Sequence, residues 1–153
     1  MNAPVIATAS IRAAVVADLP AVLALYAQPA LDDGAKLPLP DAREIFMRFA
    51  HYPDYTLYVA CLGDVVVGTY ALLIMDNLAH LGAPSGIVED VAVSPAHQGL
   101  GVGRAMMAHA RERCREAGCY KLALSANDHR ERAHQFYESL GFERHGVSFR
   151  VRP

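Results

Sequence analysis

The sequence predicts an α/β (α+β) domain: a mixed, twisted sheet of about seven strands with helices on both faces. Three observations predict it. Strand-type and helix-type runs alternate in the order β-α-α-β-β-β-α-β-α-β-β, the pattern of a sheet layered with helices. A long helical run lies between the strand-type runs 86–93 and 120–126, which implies a parallel, right-handed crossover between them. Gly63-Asp64 separates two apolar runs at hairpin spacing. With 153 residues the chain can bury a real core but not two, so residues 1–153 read as one domain. No internal repeat, linker or low-complexity segment interrupts it.

The elements follow in order. Ser10 to Val15 is a short β-type run. Asp18 stands where an N-cap belongs, and Leu19, Val22, Leu23 and Tyr26 follow at helical spacing up to Gln28-Pro29. Pro29 to Pro40 holds three prolines, a glycine and two aspartates and reads as a loop. Asp41 to Ala50 is a second helix with Ile45, Phe46 and Phe49 on one face. Thr56–Leu62 and Val65–Met75 are β-branched and aromatic, the arms of the hairpin. Asp76–Ser85 is a loop, Gly86–Val93 a strand. From about Gly101 to Ala117 an amphipathic helix runs, with Gly118 in the C′ position. Tyr120–Ala126 is a strand, Glu131–Leu140 a helix closed by Gly141. Phe142–His145 and Val147–Val151 form a last strand pair around Gly146.

The composition excludes several classes of function. Net charge is −2 with neutral histidines, so nothing calls for a nucleic-acid or membrane-surface partner. Cys61, Cys114 and Cys119 are odd in number and lack paired spacing, so they read as reduced thiols. The opening MNAPVIATAS has neither a basic segment nor a long apolar one, and no run could span a bilayer. A cytoplasmic protein is expected. The histidines show no paired ligand spacing, so no metal is expected.

The candidate chemistry centres on Ile87 to Arg104. An apolar strand broken only by Glu89 and Asp90 turns through Ser94-Pro95 into Gln98-Gly99-Leu100-Gly101-Val102-Gly103, and a helix follows at once. Strand, glycine turn and helix N-terminus together make an anion cradle, because free N–H groups of the first turn point at the ligand. No Lys-Ser/Thr follows, so this is no Walker loop. The glycine spacing does not fit a dinucleotide fingerprint either. Arg104 in the first helical turn is unfavourable there unless an anion is bound.

Two acids in an apolar strand are costly to bury without a partner or a task. Neighbours on a strand face opposite ways, so at most one of Glu89 and Asp90 is expected to face a given cleft. Such a carboxylate can take a proton from an amine, directly or through water; a structural ion pair is the alternative. Tyr137, beside the core-facing Phe136 and Leu140, carries a phenol able to protonate a departing anion or simply to hydrogen-bond at a helix–sheet seam. His134 is a candidate base or, as is more common, an exposed helix histidine.

Together these segments resemble the GNAT family of acetyl-coenzyme A-dependent N-acetyltransferases. The anchors are V-E-D-V-A-V with Ser94-Pro95, the glycine turn Gln98 to Gly103, and F-Y-E-x-L-G-F at Phe136 to Phe142. The resemblance implies acetyl-coenzyme A as co-substrate, its pyrophosphate on the backbone N–H groups of Gln98, Gly99, Leu100, Gly101, Val102, Gly103 and Arg104. It implies that the backbone of Val91, Ala92 and Val93 pairs with the pantetheine arm, that a bulge there splays this strand from Tyr120–Ala126, that Phe136 lies against the cofactor, and that Tyr137 is the general acid. Direct attack by the amine, with no covalent enzyme intermediate and an N–H near Val91 stabilising the oxyanion, is the implied mechanism, and Glu89 or Asp90 is the candidate base from the residues themselves. Many members carry an asparagine seven residues before the tyrosine. Here Arg130 stands in that place, and Asn127 is the nearest candidate for the pantetheine contact.

Within the family, V-E-D-V-A-V and Gly118-Cys119-Tyr120-Lys121 look like glucosamine-6-phosphate N-acetyltransferases. Ser125-Ala126-Asn127 with Ala133-His134-Gln135 looks like aminoalkylphosphonate acetyltransferases. The expected acceptor is a primary amine of a small molecule; a protein or peptide amine is the alternative enzyme reading, and a non-catalytic acyl-coenzyme A-binding module the alternative of another class. Asp32, Asp33 and Asp76 on the flanking loops suit a cationic acceptor, whereas Arg43, Arg48, His80 and Arg130 are the candidates to line a phosphate. The alternating edge Val147 to Val151 points to a homodimer.

Overall fold

A computed structural model describes residues 8–29 and 31–153 of the chain. The first seven residues, where no signal peptide is expected, and Ala30 in the loop after the first helix lie outside the described residues. The chain forms two compact units, one running to Ala123 and one from Leu124 to Pro153.

The first unit carries the sheet. Its elements are β1 (Ser10–Ala13), α1 (Leu19–Tyr26), α2 (Leu39–Phe49), β2 (Tyr55–Leu62), β3 (Val65–Met75), β4 (Ser85–Val93), α3 (Val102–Glu116) and β5 (Lys121–Leu124), which ends at the boundary. The strands lie side by side in the order β1-β2-β3-β4-β5. The first three pairings are antiparallel, with Tyr58 opposite Tyr70 in the hairpin that turns at Gly63, φ 59°.

Strand alternation sorts the two faces. Leu57, Val59, Cys61 and Ala71 pack with Leu19 and Val22 of α1 and Ala42 of α2. Tyr58, Tyr70 and Gly68 turn the other way, to α3. There a β-carbon on Gly68 would meet Val102 Cγ1 at 3.0 Å and Met106 Sδ at 3.1 Å, so the glycine lets the helix sit close. Met106 and Met107 are fully buried under α3, each side chain contributing roughly 1.5–3 kcal/mol by leaving water. The buried Tyr70 hydroxyl is satisfied by His109 Nδ1 at 2.6 Å, as a buried polar group must be.

Helix ends follow local chemistry. At the end of α3, Gly118 adopts φ 75°. Cys119 N–H donates to Cys114 O (2.9 Å) and Gly118 N–H to Arg115 O (3.1 Å), the paired bonds of a glycine-closed helix. Asp18 occupies the N-cap position of α1 without capping it. Its buried carboxylate instead accepts from Arg12 Nη1 (2.7 Å), Arg12 Nη2 (2.9 Å) and the Val15 N–H (2.8 Å), which fastens β1 to the start of α1.

The second unit contains α4 (Glu131–Ser139). Gly141, φ 88°, closes it: Gly141 N–H donates to Glu138 O and Phe142 N–H to Tyr137 O. The expectation of about seven strands is corrected here, since among the described residues the sheet has five and 142–151 forms no strand. The Phe142 N–H is spent on closing the helix, and Arg144 Nε is drawn back to Glu138 Oε1 at 2.6 Å. Alternating apolar residues alone do not make a strand when their backbone has no partner. Phe136 and Leu140, expected to face a core, are half-buried.

Candidate active site

The site begins with an interruption in β4. Thr69 pairs with Ala92 and Ala71 with Glu89, so the single residue Tyr70 of β3 spans both Asp90 and Val91. The extra residue, Asp90, takes φ 52°, a left-handed conformation that aspartate tolerates better than most residues. This is a β-bulge, and it re-aims the side chains around it. Val88 and Ala92 remain buried, while Glu89 and Asp90 are both exposed. The expected surroundings of the acids are thereby corrected. The acids are not enclosed in an apolar strand, and β4 is not a regular strand where they stand, since the register shifts between them and β3.

Beyond the bulge the backbone direction is fixed. Ser94 N–H donates to Val67 O at 2.8 Å, toward β3. Backbone groups alternate sides along an antiparallel strand, so the N–H and C=O of Val93, and of Val91 two residues earlier, face away from β3. The outward Val93 carbonyl accepts from Gln28 Nε2 at 3.0 Å and from Gln98 Nε2 at 3.4 Å.

The chain then makes a short 3-10 turn at Pro95–His97, steadied by His97 Nδ1 against Ser94 Oγ at 3.1 Å, and enters the glycine loop. Gly99 (φ 77°) and Gly101 (φ 85°) hold conformations closed to most side chains, and open space lies where their β-carbons would stand. Gly101 is the residue before α3. No side chain caps the helix and no acidic residue sits in its first turn. Val102 is buried and anchors the turn, whereas Gln98, Leu100 and Arg104 are not enclosed by it: Leu100 and Arg104 are exposed and Gln98 is exposed at its hydrogen-bonding end. Uncapped N–H groups at the positive end of a 15-residue helix, an open glycine surface and an arginine in the first turn suit a pyrophosphate.

On the other side of the bulge the electrostatics are acidic. Partial desolvation by the surrounding fold, then the neighbouring Asp90, raises the Glu89 carboxyl above its ordinary value; partial desolvation, then Asp32, does the same to Asp90. Among the described residues none of these three carboxylates forms an ion pair. Burial, followed by the Asp90 charge, raises the phenols of Tyr26 and Tyr55, which keeps both as neutral donors. Asp32 is set on a turn whose amides return to the end of α1: Asp32 N–H to Tyr26 O (3.0 Å) and Gly34 N–H to Ala27 O (2.7 Å).

In the second unit Tyr137 packs edge-on between Phe136 (5.2 Å) and Phe142 (5.7 Å). Burial raises its phenol, against a smaller lowering by Arg130, so the hydroxyl keeps its proton at neutral pH. Asn127 uses its side chain in a local turn, Oδ1 accepting from His129 N–H at 3.0 Å. His134 Nε2 bonds the Asn127 carbonyl at 2.9 Å, which makes His134 a strap for this turn.

Glu89, Asp90, the strand Val91–Val93 and the loop Gln98–Arg104 therefore stand in one stretch of one unit; Asn127, Phe136 and Tyr137 belong to the other. Sequence reading missed Gln28, Tyr26 and Tyr55. Tyr26 fits the first helix as a packing residue, Gln28 stands where that helix is expected to end and Tyr55 just before the expected strand, and only their partners across the fold mark them.

The chain is similar to several known proteins. A glucosamine 6-phosphate N-acetyltransferase from Trypanosoma brucei brucei is 37% identical over 86 residues, 56% of this chain and 56% of that protein. An aminoglycoside N(6′)-acetyltransferase type 1 from Stenotrophomonas maltophilia is 39% identical over 61 residues, 40% of each. The matches thus span about half the length of these relatives. A solved structure of a candidate acetyltransferase from Agrobacterium tumefaciens str. C58 superposes with a TM-score of 0.86 at 35% identity, over 94% of this chain and 99% of that one. The sequence pattern of the acetyltransferase (GNAT) family matches residues 19–142. With its bulged strand, glycine loop and helix N-terminus in that order, the chain belongs to the acetyltransferase (GNAT) family.

Proposed function

We propose that this protein transfers the acetyl group of acetyl-coenzyme A to a primary amine of a small molecule, by direct attack in a ternary complex. The observation that carries the reading is the bulge at Asp90, after which the Val91 and Val93 backbone faces away from β3 and the chain leads into an uncapped helix N-terminus. The N–H groups from Gln98 to Arg104 hold the pyrophosphate, and Val91 to Val93 hold the pantetheine arm. Bound acetyl-coenzyme A supplies an activated thioester. Glu89 or Asp90 takes the proton of the amine through water, the Val91 N–H steadies the oxyanion, and Tyr137 protonates the thiolate.

The acceptor is a cationic amine. Asp32 raises Asp90 and Asp90 raises Glu89, and among the described residues none of the three forms an ion pair, so a second ammonium on the acceptor relieves a cost that a phosphate would increase. The two curated relatives act, by their names, on a phosphorylated amino sugar and on an aminoglycoside, and the acidic surroundings favour the latter kind of charge. No described helix is long and apolar enough to cross a membrane.

Release of free thiol from acetyl-coenzyme A tests this with a panel of a polyamine, an aminoglycoside, glucosamine 6-phosphate and a lysine peptide. Polycationic amines should exceed the phosphorylated sugar by about tenfold or more in kcat/KM. The reverse ranking contradicts the acceptor assignment. Turnover of the peptide alone makes this a peptide acetyltransferase, and coenzyme A binding without turnover makes it a binding module.

The exposed Val147, Phe149 and Val151 favour a homodimer built through the C-terminal segment. Light scattering should give twice the chain mass; a monomeric mass excludes it.

A further inference from the structure

One side chain joins the two halves of the first unit's site. Gln28 stands just past the end of α1, and its amide reaches 65 residues along the chain to the Val93 carbonyl at 3.0 Å. Only an N–H donor can make that bond, so the amide orientation is fixed by chemistry. With Gln98 Nε2 on the same oxygen, both lone pairs of the outward carbonyl are engaged. The backbone of Gln28 meanwhile holds the acidic turn: its carbonyl accepts from Leu31 N–H at 3.2 Å and Asp33 N–H at 3.3 Å. That turn carries Asp32, the carboxylate that raises Asp90.

We propose that Gln28 is a positioning residue that couples the two substrates. In the free protein its amide occupies the Val93 carbonyl and latches the Asp32 turn to β4. A pantetheine amide that pairs with β4 takes that oxygen, displaces Gln28 and unlatches the turn on the acceptor side. This rests on the proposed use of Val91–Val93 as the cofactor rail. The latched state does not bind cofactor, so the apparent affinity is reduced by the fraction latched.

The consequence is an unusual pair of signs. Removing the amide should tighten coenzyme A binding, because a competitor has gone, and should loosen the turn. A residue with only a structural role would weaken binding when removed. Coenzyme A binding to the wild type should likewise speed amide exchange at 31–34, although a ligand ordinarily slows exchange near its site.

The test uses coenzyme A itself as probe, with calorimetry and hydrogen exchange on wild type, Gln28→Leu and Gln28→Met. Both variants should bind coenzyme A about two- to tenfold tighter, the range of one hydrogen bond. Exchange at 31–34 should be fast in the free variants and should accelerate in the wild type on binding. Variants that bind coenzyme A equally or more weakly, or a wild-type turn that is unchanged or slowed, overturn the proposal while leaving the acetyltransferase reading intact. A wild type that does not bind coenzyme A overturns both.

Discussion

Asp90 is the extra residue that β4 sets opposite Tyr70, and its φ of 52° is what makes room for it. The backbone and the carboxylate of Asp90 can therefore be separated by substitution. Asn also tolerates the left-handed region, whereas a β-branched residue does not. Asp90→Val should lose about 1–3 kcal/mol of stability in urea unfolding. Asp90→Asn should be at least as stable as wild type at neutral pH, since it removes a charge that burial and Asp32 disfavour. If Asp90 is the base, Asp90→Asn lowers kcat about ten- to a thousand-fold, and if Glu89 is, Glu89→Gln does so. Full activity in both variants removes the carboxylates from the mechanism.

The pH profile carries the same signature. Glu89 and Asp90 are raised in the folded protein, so the base form is lost at a higher pH than for a free carboxylate. The acid limb of kcat/KM should lie above the ordinary carboxylate range. Asp32→Asn removes a like charge from Asp90 and should move that limb to lower pH if Asp90 is the base. For stability the sign is opposite to a salt-bridged acid: the contribution of these two groups is present below the unfolded pKa and lost as pH rises through the folded one.

Asp18 behaves in the usual way for a paired carboxylate. The hydrogen bonds from Arg12, helped by the Val15 N–H, hold it below its ordinary value of 3.8. Its contribution is present above that value and lost as pH falls through the lower folded pKa. Asp18→Asn should cost about 1–3 kcal/mol at pH 7, because Arg12 and Val15 lose a charged acceptor. The difference from wild type should shrink in acid, as followed by chemical unfolding at several pH values.

The first turn of α3 gives a prediction about the cofactor alone. Arg104→Glu places a negative charge where the pyrophosphate is proposed to sit. Coenzyme A affinity should fall by about three- to thirtyfold in calorimetry, with the unfolding midpoint unchanged or raised because an acid suits a helix N-terminus. Unchanged affinity would place the anion elsewhere.

Much of this was legible because it depends on local rules. Gly118 and Gly141 follow helical patterns, and each stands where the chain needs a positive φ. The hairpin at Gly63 and the glycine loop before α3 are equally local. The bulge was not legible in the residues themselves, because V-E-D-V-A-V reads as one strand; it was expected only through the family resemblance, and the register against Tyr70 is what exposes Asp90 as the extra residue. The final strand pair was over-read for the converse reason: Val147 to Val151 alternates, but pairing depends on partners elsewhere in the chain. Gln28 was invisible since its meaning lies in a carbonyl 65 residues away.

The central claim is direct acetyl transfer from acetyl-coenzyme A to an amine. Mass spectrometry of the complete reaction, protein included, tests it most directly. The account predicts one acetylated amine for each free coenzyme A and a protein mass unchanged by acetyl-coenzyme A alone. An acetylated protein that forms without amine and passes its acetyl group on would contradict it.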